Sequence, residues 1–175
     1  IAAARRADGA EVRALLANGV DVNTRYGDGT TALHWATHRD ADALVTLLLA
    51  AGAEVNAADD HGVTPLSLAC LNGNAAAVEQ LLAAGADANR ARSNGETPLM
   101  TGARVGNVDV VRLLLAAGAD PNVTEATLEQ TALMLAIAEN HTPVARVLLE
   151  VGTSVSPRST NRFTPLLFAA QQGNI

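Results

Sequence analysis

Residues 58–90 read ADDHGVTPLSLACLNGNAAAVEQLLAAGADANR, and close variants of this stretch recur along the chain. Its leucine pair, and the glycine that follows the pair, return in the same register in the other copies. Triplets of the form Thr-Ala-Leu or Thr-Pro-Leu begin at nearly constant spacing, at Thr31, Thr64, Thr97, Thr131 and Thr164. A period between about 20 and 50 residues is typical of proteins built from stacked structural repeats. The sequence therefore predicts a repeat architecture before any single helix is assigned.

Each repeat begins with the signals of a short helix. Thr64 is a helix-capping residue type, and Pro65 suits the first helical turn because its missing amide is not needed there. We expect a helix over residues 64–72. Gly73 then permits the left-handed conformation that ends a helix. The residues at the equivalent position, all of which tolerate this conformation, are Asp40, Gly106, Asn140 and Gly173.

The rest of the repeat predicts a second helix and a projecting turn. Val78, Leu81 and Leu82 lie on one stripe at helical spacing. The polar residues 56–63, with their Asp-x-x-Gly turn signal, favour an extended hairpin, which we call the finger. Helices shorter than about 12 residues are marginal alone in water, so the leucine stripe needs the surface of a neighbouring repeat.

The period and the Thr-Pro-Leu triplets resemble ankyrin repeats, which have about 33 residues and a Thr-Pro-Leu-His signature. The resemblance extends through the whole chain and implies an all-α repeat solenoid of helix-turn-helix units with β-hairpin-like fingers. It also implies a structural hydrogen-bonding role for His34, which occupies the histidine position of the signature. Residues 62–70 and 96–100 are similar to bacterial ankyrin-repeat proteins, some of which are exported.

The resemblance predicts one array over residues 1–175. Residues 1–24 lack the Thr-Pro-Leu type of start and are expected to form an N-terminal capping or partial repeat. Full repeats are expected at 25–57, 58–90, 91–123 and 124–157, followed by a truncated repeat at 158–175. Since the last repeat stops before its second helix, we expect the natural protein to continue past Ile175.

Four departures from the pattern fall in the later repeats. The fourth repeat has one additional residue, and Glu129 stands where earlier fingers have glycine. Arg162 stands at the same position in the fifth finger. These substitutions predict altered tips for fingers four and five. Ser156 replaces the asparagine that closes the earlier repeats, which predicts a weaker brace for the last finger.

Composition excludes several classes of function. All 12 basic residues are arginine, against 18 acidic residues, and the net charge is −6. This balance argues against a nucleic-acid partner, which requires a basic surface. Cys70 is the single cysteine, so no disulfide forms within the chain. The longest apolar stretch, residues 44–53, is too short to span a membrane. The chain begins with Ile1 and shows no leader pattern, so the compartment stays open between cytoplasm and export.

No catalytic or cofactor site emerges from the motifs. His34 and His38 have the i, i+4 spacing of helical metal ligands, but the sequence supplies no third ligand, and we expect no metal. Asp28, Asp59 and Asp60 are explained by turn chemistry at the finger tips. Cys70 lies on an alanine-rich helix, where a small buried side chain is the expected role. We predict a non-enzymatic chain without cofactors.

A partner protein is expected at the fingers and at the ends of the helices, in a concave groove. The resemblance places the contact residues there, and the side chains at these positions differ between repeats while the framework is constant. The predicted partner-binding residues are Tyr26, Asp28, His38, Arg39, Asp60, His61, Leu71, Asn72, Asn94, Glu96, Arg104, Val105, Leu128, Gln130, Glu139, Phe163 and Gln171. Trp35 is expected to be mostly packed inside.

Two other functions are weighed against this one. The first is a structural or regulatory segment of a larger enzyme or exported protein, which docks within the same polypeptide while the chemistry lies elsewhere. The second is a metal-dependent hydrolase built around His34 and His38. The sequence leaves the identity of the partner and the oligomeric state open.

Overall fold

A computed structural model describes residues 1–173 of the chain. This part contains eleven α-helices and no β-strand. The helices are α1 Ala2–Arg5, α2 Gly9–Ala17, α3 Ala32–His38, α4 Asp42–Ala50, α5 Pro65–Asn72, α6 Ala75–Ala83, α7 Pro98–Val105, α8 Val108–Ala116, α9 Ala132–Ala138, α10 Thr142–Glu150 and α11 Pro165–Gln171. The expectation that the natural protein continues past Ile175 lies outside the described residues.

The chain forms two compact units, Ile1–Asp87 and Ala88–Ile175. In the first unit the first helices of successive repeats, α1, α3 and α5, pack side by side, and so do the second helices, α2, α4 and α6. Each first helix also packs on the second helix of its own repeat. The second unit repeats this order, with α7, α9 and α11 in one layer and α8 and α10 in the other. The predicted all-α repeat solenoid is confirmed. The predicted repeat boundaries within residues 1–175 remain a prediction.

Threonine side chains start the first helices, as the sequence indicates. The Thr64 hydroxyl accepts a hydrogen bond from the Ser67 amide at 3.2 Å. Equivalent bonds join Thr97 to the Met100 amide and Thr131 to the Met134 amide, at 3.3 and 3.4 Å. Each bond satisfies an amide that has no partner within the helix, an interaction that stabilises a helix by about 1 kcal/mol.

The left-handed residues end the first helices where the sequence predicts them. Gly73 and Gly106 have φ of +67° and +85°. Asp40 and Asn140 adopt the same region at +53° and +65°, which short polar side chains tolerate better than others. The chain therefore turns after α3, α5, α7 and α9 in the same way, and each second helix packs back on the helix before it.

Leucine and valine from both helices of each repeat form the core. In the first unit, Leu33, Leu48, Leu66 and Leu81 are at most 1% exposed. In the second unit the buried leucines are Leu99, Leu114, Leu133 and Leu148. Burial of a leucine side chain contributes about 2 kcal/mol, so these residues account for much of the stability of each unit.

Leu15 departs from this pattern. It is equivalent to the buried leucines Leu48 and Leu81, yet 37% of its surface is exposed. Val12 is the single buried residue of α2. The reason is that α2 has a neighbouring second helix, α4, on one side only among the described residues. One face of the leucine stripe of α2 is thus uncovered among the described residues, and the capping role of residues 1–24 remains a prediction.

Asparagine side chains tie the end of each repeat to the next. Asn56 Nδ2 donates to the carbonyl of Gly85 at 3.0 Å, and Asn56 Oδ1 accepts from the amide of Asp87 at 2.8 Å. Asn23 and Asn89 make the same pair of bonds one repeat earlier and one repeat later. Ser156 stands at this position in the last described repeat, and its amide bonds locally to Ser154 Oγ.

Candidate partner-binding surface

The fingers of the first unit are compact turns whose tips are fixed by their own side chains. Tyr26 N donates to the Thr30 carbonyl at 2.8 Å, which closes the first finger. Asp28 Oδ1 accepts from both the amide and the hydroxyl of Thr30, at 3.0 and 2.7 Å. The hydroxyl bond from Thr30 lowers the pKa of the Asp28 carboxyl. Hairpin-like fingers are thus present, although none of the described backbone is paired as a strand.

The second finger has the same construction and is joined to the first. Asp59 N donates to the Val63 carbonyl at 3.0 Å, and Asp59 Oδ1 accepts from the amides of His61 and Val63, both at 2.8 Å. The Asp60 amide donates to the carbonyl of Asp28 at 3.1 Å, so the backbones of the two tips are in contact. Asp28 and Asp59 therefore belong to two fingers that are in direct contact.

His34 connects the first helix to the next finger. Its Nδ1 accepts a hydrogen bond from the Thr31 amide at 3.2 Å, and its Nε2 lies 3.0 Å from the Val63 carbonyl. Since the carbonyl can only accept, Nε2 carries the proton. Burial lowers the pKa of this imidazole. The structural hydrogen-bonding role implied by the resemblance is confirmed, and both ring nitrogens are engaged within the fold.

A pocket of about 210 Å³ lies between these fingers and the helices behind them. We call its two lining aspartates, Asp28 and Asp59, the rim, and its apolar side chains Trp35, Val63 and Leu68 the floor. The lining residues are Asp28, Thr30, His34, Trp35, His38, Asp59, Val63 and Leu68. We call it the Trp35 pocket.

Trp35 is half-buried, which agrees with the expectation that it is mostly packed inside. The guanidinium of Arg5 lies 4.7 Å from the centroid of its ring, and the ring of His38 meets it edge-on at 5.9 Å. The indole Nε1 is buried without a hydrogen-bond acceptor. Sequence reasoning missed that this residue also lines a pocket because the equivalent positions hold Leu68 and Thr101, which indicate core packing.

The predicted contact residues of the first unit all lie on the surface. Tyr26 is 60% exposed and Leu71 is 42% exposed. The other exposed members of the set are Asp28, His38, Arg39, Asp60, His61 and Asn72. Two of these also have roles within the fold. Asn72 Nδ2 donates to the carbonyls of Thr37 and His38 at 3.1 and 3.2 Å, and Arg39 Nε donates to the carbonyl of Arg5 at 3.1 Å.

Glu96 differs from the other predicted contact residues because it is buried, with 8% of its surface exposed. Its carboxylate pairs with Arg104 and with Arg92 Nη1, the latter at 3.5 Å. It also accepts a hydrogen bond from the Thr101 hydroxyl at 3.1 Å. A buried carboxylate with these partners holds the third finger on α7, so Glu96 itself is not available as an exposed contact. The sequence feature that could have indicated this role is the pair of opposite charges, Arg92 and Glu96, four residues apart.

The fourth finger is altered, as predicted. It closes one residue later than the others, with Glu125 N donating to the Gln130 carbonyl at 3.1 Å. The Glu125 carboxylate accepts from the amides of Thr127, Leu128 and Gln130. Desolvation raises the pKa of Glu125, but these hydrogen bonds outweigh it, and the pKa is lowered from its ordinary value. The additional residue is thus accommodated by a side chain that binds the amides of the widened turn.

The prediction of an altered fifth tip is wrong for its backbone. Ser159 N donates to the Phe163 carbonyl at 2.9 Å, in the same pattern as Tyr26 and Thr30. Arg162 adopts φ of +63°, close to the left-handed conformation of the glycines it replaces. The turn keeps its shape because its hydrogen bonds outweigh the cost of a left-handed arginine, about 1 to 2 kcal/mol.

The remaining contact residues of the second unit are mainly exposed. Val105 and Leu128 are 37% and 43% exposed. Asn94, Arg104, Glu139 and Gln171 are also exposed, whereas Gln130 and Phe163 are half-buried. The ring of Phe163 packs on that of Phe168 at 5.5 Å, which explains its partial burial.

The described residues show no arrangement typical of catalysis or metal binding. No group of three or more His, Cys, Asp or Glu residues within 1–173 is placed to hold a metal ion. Cys70 is buried, and burial raises the pKa of its thiol to about 12, so the reactive thiolate is suppressed. None of the described helices has the length and apolar character needed to cross a membrane.

Comparison with known families agrees with the packing of the helices. The family described as "Ankyrin repeats (3 copies)" matches the chain in three overlapping stretches, residues 1–92, 41–125 and 118–175. The chain belongs to the ankyrin-repeat family. No curated protein matches it significantly. Ankyrin repeats are in general non-enzymatic modules that bind other proteins.

Proposed function

We propose that this chain binds another protein through its finger tips and the C-terminal ends of its first helices, and has no catalytic role of its own. The observation that supports this most is the contrast between framework and surface within one chain. At the framework position, Leu33, Leu66, Leu99 and Leu133 are the same residue and are all buried. Five residues further along the same helices, the side chains are His38, Leu71, Arg104 and Ala138.

These variable positions present different chemistry at equivalent places. The same repeat position holds a different kind of group in each of three repeats. It is an imidazole at His38, an exposed apolar side chain at Leu71 and a cation at Arg104. Aromatic residues and arginine dominate the energetics of protein interfaces, and Tyr26, Arg39 and Arg104 supply them here. Leu71 is 42% exposed, so it contributes little to the stability of the fold and adds apolar surface to this set of positions.

The partner is either a separate protein or another part of the polypeptide to which this array belongs. The net charge of −6 disfavours nucleic acid in both cases.

Site-specific photo-crosslinking tests the proposed surface. A photoreactive amino acid is placed at Tyr26 or Leu71, and as matched controls at the exposed Glu79 of α6 or Leu149 of α10, which lie on second helices. We expect a discrete protein adduct from the first two positions and none from the controls, and mass spectrometry identifies the adduct. Adducts from the second helices alone would contradict the proposal. So would unchanged partner recovery in the variants Arg39→Ala, Leu71→Ala and Arg104→Ala.

A further inference from the structure

We propose that the Trp35 pocket binds an arginine side chain of the partner protein. This inference rests on the proposed function and adds to it the chemistry that the first unit recognises. The pocket is too small for a cofactor or a drug-sized ligand, whose sites begin at about 300 Å³. At about 210 Å³ it suits a single long side chain.

The rim of the pocket carries negative charge that is not neutralised by the chain. Asp28 and Asp59 each use Oδ1 to fix their own finger. No ion pair joins either carboxylate to an arginine within residues 1–173. The nearby Arg25 is engaged elsewhere, with Glu54 at 3.0 Å and with the Ala58 carbonyl. A cationic group at the rim would therefore meet two ionised carboxylates with free acceptor capacity.

Among the neighbouring groups, His34 adds no positive charge, whereas the guanidinium of Arg5 lies 4.7 Å from the centroid of the Trp35 ring. His34 is held by hydrogen bonds in its neutral form, and burial keeps its pKa low. Arg5, which lies on the ring of Trp35, is not among the residues that line the pocket. An acidic side chain of a partner would be repelled by the rim, and a purely apolar one would desolvate the carboxylates without pairing them.

The floor favours arginine over lysine. Trp35, Val63 and Leu68 offer apolar surface to the methylene groups of a long side chain. The indole already has a guanidinium over it, that of Arg5 at 4.7 Å, which shows that cations stack on this ring. A second guanidinium entering from the pocket can contact the aromatic group and donate several N–H bonds to the two carboxylates at once, whereas an ammonium is a compact point charge.

Trp35 is the single tryptophan of the chain, so its fluorescence reports on this pocket directly. The 175-residue chain is titrated with N-acetyl-arginine amide and, in parallel, with N-acetyl-citrulline amide, which has nearly the same shape without the charge. We expect a saturable change of Trp35 emission with the arginine probe in the millimolar range, and binding of the citrulline probe at least fivefold weaker. Raising the salt concentration to about 0.5 M weakens the binding of the arginine probe.

Two variants remove one charge each and keep the turns intact. Asp28→Asn and Asp59→Asn retain an oxygen that accepts the amide bonds of the finger, so the fold is preserved, which circular dichroism verifies. Each variant should bind the arginine probe about threefold to fivefold more weakly than the unchanged chain does. This is the loss expected for a partly exposed ion pair. The matched control is Asp21→Asn, because Asp21 Oδ1 accepts the Asn23 amide in a similar turn outside the pocket.

The outcomes separate this inference from the proposed function. Equal binding of arginine and citrulline, no emission change with arginine, or equal weakening by the control Asp21→Asn would overturn the arginine pocket. If crosslinks still form at Tyr26 and Leu71 in that case, the proposed protein-binding surface stands without it. If arginine binds but no crosslink forms, the pocket is established and the protein-binding surface is not.

Discussion

At the scale of single residues, polar side chains hold together the parts of each repeat that hydrophobic packing does not reach. His34 joins a helix to the following finger, and Glu96 joins two arginines and a threonine. Both are buried, and a buried polar group that loses its partner costs far more than an exposed one. The two residues therefore give the clearest stability effects outside the leucine core.

Protonation of His34 is expected to destabilise the first unit at mildly acidic pH. Its pKa is lowered in the folded protein by burial, so the unfolded chain binds a proton more readily. The stability that neutral His34 gives the folded state is fully present above the ordinary pKa of about 6.5. It is lost as the pH falls through the lower pKa of the folded state. Urea unfolding followed by Trp35 fluorescence at pH 7.5 and pH 5.5 measures it.

His61 provides the control for this pH effect. His61 is exposed at the tip of the second finger. We expect His61→Gln to retain the difference in unfolding free energy between the two pH values and His34→Gln to reduce it. An equal pH dependence in both variants would show that His34 is not its source.

Removal of the Glu96 carboxylate is expected to destabilise the second unit by about 2 kcal/mol. Glu96→Ala leaves Arg92 partly buried without its partner, and the 42% exposure of the Arg104 side chain moderates the loss. The comparison is Glu54→Ala, which breaks the exposed pair with Arg25 and should cost less than about 1 kcal/mol. Thermal unfolding of both variants measures the difference, and equal shifts of Tm would contradict the buried role of Glu96.

At the scale of elements, the turn between the two helices of a repeat depends on a left-handed residue and on what lies opposite it. Gly106 ends α7 with φ of +85°, and a Cβ at this position would lie 2.5 Å from the ring of His141. That ring is fixed by a hydrogen bond from its Nε2 to the Arg104 carbonyl at 3.0 Å. The residue that precedes α10 thus packs where a side chain at position 106 would otherwise lie.

Gly106→Ala is expected to destabilise the second unit by about 1 to 2 kcal/mol more than Gly118→Ala, because the ring of His141 must move and lose its bond to the backbone. Gly118 has the same φ of +85°, but a Cβ there meets no atom within 4 Å, so it reports the backbone strain alone. Chemical denaturation of the two variants gives the comparison, and equal destabilisation would show that the contact with His141 has no energetic weight.

For the chain as a whole, the backbone amides of a helix should be better protected against local unfolding when neighbouring repeats pack on both of its sides. In the first unit α3 and α4 are covered on both sides by helices of neighbouring repeats, whereas α2 buries only Val12. In the second unit α9 lies between α7 and α11, whereas α11 buries only Pro165 among its residues. Leu166, on α11, is 69% exposed.

Hydrogen exchange measured by mass spectrometry is expected to rank the helices accordingly. Amides of α3 and α4 should exchange more slowly than those of α2, and amides of α9 more slowly than those of α11, because exchange through local opening is fastest where the least apolar surface is buried. Protection of α11 equal to that of α9 would indicate that an additional surface covers it in solution.

The order of helices and turns follows from the sequence alone. Capping threonines, left-handed positions and leucine stripes are local signals that return in each repeat, so the family and the elements follow from pattern alone. The exposure of most predicted contact residues followed in the same way, because a position within a repeat has the same environment in each copy.

Which side chains of different repeats meet depends on the tertiary structure. The partial exposure of Trp35 and the contact of His141 with Gly106 depend on neighbouring elements, which no local pattern specifies. The left-handed Arg162 is a further case, since the hydrogen bonds of the folded finger impose a conformation that arginine does not favour alone. The side chains that line the Trp35 pocket differ from those at the equivalent positions of other repeats, and for that reason the pocket is visible only in the folded chain.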